Sequence, residues 1–72
     1  MKQTYIHNYK VMYEENAQPG VYYLQADLNT QEAKPFFDEA RNKRIAVFED
    51  DNERHFILTH NSDGSYSLER KS

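Results

Sequence analysis

Residues 29–44 constrain the fold more than any other stretch of this 72-residue chain. Ala33, Phe36, Phe37 and Ala40 recur at i, i+3, i+4 and i+7, the spacing of one helix face. Asn29 or Thr30 can cap the start, and Glu32 follows Asn29 by three residues, as a capping box needs. Arg41, Lys43 and Arg44 crowd the last turn, where cations meet the negative end of the macrodipole. Pro35 is discordant, because inside a helix it removes a hydrogen bond and crowds the preceding turn at about 3 kcal/mol. The pattern predicts a helix over 30–44 with an irregular start.

Both flanks of this segment have strand character. Residues 4–15 alternate, with Tyr5, His7, Tyr9, Val11 and Tyr13 on one face. The segment 16–20 contains Pro19-Gly20 and has the composition of a turn. Residues 21–28 resume the alternation, with Tyr22, Leu24, Ala26 and Leu28 opposite Tyr23, Gln25 and Asp27. A short connection favours an antiparallel hairpin between the two. After the helix, residues 45–49 are almost continuously apolar, as in an interior strand. Residues 54–60 and 65–70 follow, joined by a turn whose Asp63-Gly64 tolerates positive φ.

The expected architecture is α+β, in a single domain over residues 1–72. One helix packs on one face of a four- or five-stranded, mostly antiparallel sheet in the order β-β-α-β-β-β. A β-grasp-like arrangement, with the first strand parallel to a later one, and a fully antiparallel arrangement both satisfy this order.

Composition narrows the function classes. The chain has no cysteine, so neither disulfides nor a thiolate zinc site can reinforce it. No run of about 18 apolar residues exists, and the first residues pass directly into polar–apolar alternation. A soluble, cytoplasmic protein is the expectation. A formal net charge of −3 gives no general attraction to nucleic acid or anionic lipid. In size and composition the chain resembles the many small single-domain proteins of bacteria and their phages.

No motif for catalysis or for a cofactor is present. His55 and His60 are five residues apart and leave one strand on opposite faces, so no metal site with His7 is expected. Gly20 and Gly64, the only glycines, both fall in turn-like contexts, which leaves no Gly-rich phosphate loop. No Gly-x-Ser-x-Gly elbow accompanies the serines. The expectation is a protein that is not an enzyme and uses neither cofactor nor small-molecule substrate.

Three surfaces could recognise a partner. One helix covers one sheet face; with Tyr9, Val11, Leu24, Val47, Leu58 and Leu68 turned toward it, the other face carries Met12, Tyr23, Phe48 and Ile57. An apolar patch of that kind marks self-association, as in a homodimer, or binding of one protein partner. The alternative is an acidic inhibitor that uses Glu49, Asp50, Asp51 and Glu53 to block a basic surface. Less favoured is single-strand nucleic-acid binding by Tyr5, Tyr9, Tyr13, Tyr22, Tyr23 and Tyr66 with the Arg41, Lys43 and Arg44 cluster.

Overall fold

The computed structural model describes residues 1–71. Five strands form one mixed sheet: β1 (Lys2–Ile6), β2 (Tyr9–Tyr13), β3 (Ile45–Glu49), β4 (His55–His60) and β5 (Tyr66–Lys71). Their spatial order is β1-β2-β5-β4-β3. Neighbours are antiparallel except β2 and β5, which pair in parallel through Val11–Tyr66, Met12–Ser67 and Tyr13–Leu68. The α+β class is the one expected from the sequence, and the element order matches it roughly, with a further helical stretch between the second strand and the long helix. A parallel pair exists as in a β-grasp, but the second strand makes it and the first lies at the edge.

Helix α2 spans Thr30–Lys43 and begins with the capping box. The Glu32 amide donates to Asn29 Oδ1 at 2.8 Å and the Asn29 amide donates to Glu32 Oε1 at 3.0 Å. This start is regular, and the helix continues through Pro35. Ala33, Phe37 and Ala40 are buried against the sheet. Arg44 ends the helix at φ 77°, a left-handed conformation that reverses the chain into β3.

The first third of the chain departs from its expected layout. Residues 4–15 are not one strand: a two-residue turn at His7-Asn8, with φ 49° and 74°, folds β1 back on β2. Positive φ at both central residues is the type I′ requirement, and asparagine tolerates it better than most residues. The turn reverses the face assignment upstream, so Ile6 is buried while Tyr5 is exposed.

Residues 21–28 are helical rather than extended. A 3-10 turn over Glu15–Ala17 leads into α1 (Gln18–Tyr22) and a π-helical turn over Tyr23–Asp27. Ala17, Val21 and Leu24 are buried at i, i+4 and i+7. Leu24 and Leu28 fit a strand face with Tyr22 and Ala26 and a helix face with Val21, so over so short a run packing chooses between the two periods. Pro19 serves in the first turn of α1, where its missing N–H costs nothing. Gly20 is used for close approach: a Cβ there would lie 2.8 Å from Cδ1 of the fully buried Phe56.

One core lies between the helices and the sheet. Ile6, Val11, Leu24, Phe37, Phe56, Leu58 and Leu68 are its largest fully buried side chains. Tyr9 stacks on Phe37 with ring centroids 4.1 Å apart, and Tyr66 meets both rings edge-on. His7 fastens the hairpin to the helical layer. Its Nε2–H donates to the carbonyls of Leu24 at 2.8 Å and Leu28 at 3.0 Å, and Nδ1 lies 3.2 Å from Thr30 Oγ1.

Candidate functional site: the open sheet face and the β3 edge

Helix α2 and the helical stretch before it cover one face of the sheet, and the other face is open. The strand registers place Tyr5, Lys10, Met12, Ser67, Glu69, Ile57, Thr59, Ile45 and Val47 on that open side. Its apolar part lies at the β3–β4 border. Ile57 sits opposite Val47, and Ile45 opposite Thr59. Ile45 and Val47 are each 49% exposed, whereas Ile57 and Met12 are half-buried.

The four residues expected to share this surface do not all reach it. Met12 and Ile57 are on the open face, but Ser67 and Glu69 of β5 lie between their strands. Phe48 points the other way and is 5% exposed. Its ring lies between Tyr23, Phe36 and Phe56, with centroids 5.9, 5.3 and 5.4 Å away. Tyr23 belongs to the helical layer and reaches Phe48 from there. A run such as Ile45–Glu49 carries no alternation to say which side faces inward. The aromatic cluster around Phe48 decides it, and Val47 is turned outward as a result.

Strand β3 is also an edge, and its backbone is free on that side. The His60 amide donates to the Arg44 carbonyl at 2.9 Å, and the Asp50 amide donates to the Arg54 carbonyl at 3.0 Å. In an antiparallel ladder the inward-bonded residues alternate, so positions 44, 46, 48 and 50 bond to β4. Ile45, Val47 and Glu49 therefore direct their N–H and C=O groups away from the sheet. Proteins blunt such edges with proline, lysine, bulges or covering segments. Residues 45–49 contain neither proline nor lysine. The opposite edge, β1, is treated differently: it begins with Lys2, and Gln25 Nε2 reaches the Tyr5 carbonyl at 3.5 Å.

The acidic turn after β3 is organised internally. Asp50 is 7% exposed and accepts from the amides of Asn52 and Arg54 at 3.0 and 2.9 Å and from Arg54 Nε at 2.7 Å. Burial alone would raise its pKa, but the Arg54 and Asn52 hydrogen bonds and the Arg54 charge outweigh it and hold the carboxyl below the ordinary value. Glu49 lies 3.6 Å from His55 across the β3–β4 pair. Asp51 and Glu53 are exposed. An open groove of about 360 Å³ separates Asp50 and Asp51 from Tyr22 and Tyr23. Burial, followed by the charges of Asp51, Asp27, Asp50 and Glu32, raises the pKa of the Tyr23 phenol.

The histidines and tyrosines are dispersed. His7 bonds the helical layer, His55 faces Glu49, and the His60 ring meets Tyr66 at 5.1 Å. Among the described residues no three His, Asp or Glu side chains are grouped to hold a metal. Tyr9 and Tyr66 belong to the aromatic core, while Tyr5 and Tyr22 are exposed on different elements. Arg41 and His60 border a shallow groove of about 500 Å³ with Tyr9, Lys10, Ser65 and Tyr66. Asp63 beside it is occupied within its own turn, accepting from the Ser65 amide at 2.9 Å and hydroxyl at 2.6 Å.

Comparison with family models, with curated proteins and with solved structures gives no match to this chain. No helix among the described residues is long and apolar enough to cross a membrane. Sequence reasoning missed Ile45 and Val47. The available signal was the order of residues 43–51, in which two cations precede an apolar strand and three acids follow it.

Proposed function

We propose that this chain is a non-catalytic protein–protein interaction module that associates with a second copy of itself through the β3–β4 side of its open sheet face. The observation that carries the reading is the half exposure of Ile45 and Val47 beside Ile57, on a strand with an unpaired edge. Isolated apolar groups at a surface need no partner, but neighbouring ones on an open edge form a template for association. A domain of this size has little core to spare, and pairing with another copy adds buried area without enlarging the chain.

Light scattering on eluting protein tests this reading. The expected mass is twice the 8.6 kDa of one chain, retained in high salt because apolar contact carries the association. A mass of one chain at every concentration would refute it. Ile57→Lys, which places a charge on the open face away from the edge, is expected to weaken the dimer while the monomer stays folded.

A further inference from the structure

Resting on the self-association above, we propose that two copies join edge to edge, with β3 pairing antiparallel to β3 of the second copy about a two-fold axis at Val47. The free backbone groups of Ile45, Val47 and Glu49 select this register. An antiparallel pair alternates between hydrogen-bonded and non-bonded positions, so outward-directed residues must oppose one another. Centring on Val47 opposes Val47 to itself and Ile45 to Glu49 of the second copy. All three outward positions are then satisfied. Centring on Ala46 or Phe48 leaves one of the three without an opposing strand residue.

Charge selects the same register. Lys43 and Arg44 precede β3, while Glu49, Asp50 and Asp51 end and follow it. Antiparallel pairing about Val47 sets the end of each β3 that carries Lys43 and Arg44 beside the end of the other that carries Glu49, Asp50 and Asp51. Both cations are exposed, as are Glu49 and Asp51. Lys43 has one partner on its own helix, Glu39 at 3.7 Å, on a surface where such a pair contributes little. The segment is thus self-complementary end to end: cationic, apolar, anionic. On the open face, Val47 of one copy would meet Val47 of the other, with Ile57, one strand further in on β4, flanking the pair on each side. On the helix side, Ala46 would stand opposite Phe48 of the second copy, a small residue facing a large one. The product is one continuous sheet with β1 at both ends, the edge that carries Lys2 and the Gln25 cover.

Complementary charge variants test the register. Lys43→Glu and Asp51→Lys each set two like-charge pairs in the dimer, and each is expected to weaken self-association about tenfold at low salt. An equimolar mixture of the two restores opposite charge at both ends. The heterodimer is expected to form with about wild-type affinity. Val47→Pro tests the edge itself: the Val47 N–H points away from β4, so proline removes no bond within the chain, yet it blocks the centre of the pairing. It is expected to weaken the dimer more than about a hundredfold. Val47→Lys serves the same purpose if the proline variant melts early. A wild-type dimer that Val47→Pro and Val47→Lys leave intact, or charge variants that do not rescue each other, would overturn the edge pairing while leaving self-association standing. A dimer lost on Ile57→Lys but indifferent to Val47→Pro would assign the contact to stacked open faces instead. A monomeric wild type would overturn both proposals.

Discussion

Asp50 accepts three hydrogen bonds inside the turn that it begins, from two amides and a guanidinium. Removing the carboxylate leaves those donors without their partner in a buried place, so Asp50→Ala is expected to cost about 2–3 kcal/mol in chemical denaturation. The same group sets a response to acid. Its folded pKa lies below the unfolded value of about 3.9, so its contribution is complete above that pH and is lost as pH falls through the folded value. The wild type should therefore lose stability below about pH 4 more steeply than Asp50→Asn, as thermal melts across pH would show. A second residue acts across elements. His7, from within a left-handed turn, bonds the carbonyl of Leu24 in the helical stretch and that of Leu28 just past its end, and His7→Ala is expected to cost about 1–2 kcal/mol. No loss on that substitution would mean that the hairpin and the helical layer hold together without it.

At the scale of elements, how much could be read from the sequence depended on length and on caps. Helix α2 was legible because four apolar residues repeat with one period and Asn29 and Glu32 mark its start. The final three strands were legible because the polar turns between them are short and carry Asp-Gly or clustered acids. Residues 15–28 were not, since Leu24 and Leu28 fit a strand face with Tyr22 and Ala26 as well as a helix face with Val21, and Pro19-Gly20 suits a turn or a helix start. What decides is tertiary: Gly20 admits the Phe56 ring at a distance no other residue allows. Gly20→Ala should gain up to about 1 kcal/mol in helix propensity and lose about 1–3 kcal/mol to overpacking. A net destabilisation is expected in urea unfolding. A stabilised variant would show that Phe56 can move aside. The candidate site was half legible for a related reason. Met12 and Ile57 were placed on the open face, but Phe48 and Val47 exchanged sides because an unbroken apolar run does not display its register.

For the whole molecule, the sheet has two unequal edges, and this asymmetry sets the order of any assembly. Edge β1 is blunted by Lys2 and by Gln25, whereas β3 presents apolar side chains and free backbone groups together. Pairing through β3 closes, because a two-fold axis at Val47 uses the same strand in both copies and leaves only blunted edges outside. The formal charge of −3 opposes association only weakly at physiological ionic strength, and the charge order around β3 offsets it locally. The most direct measurement is hydrogen exchange at the Ile45, Val47 and Glu49 amides at two protein concentrations. These amides have no acceptor among the described residues, so edge pairing predicts protection that grows with concentration and disappears in Val47→Lys at positions 45 and 49. Rapid exchange at all three positions, at a concentration where the mass is that of a dimer, would contradict the account.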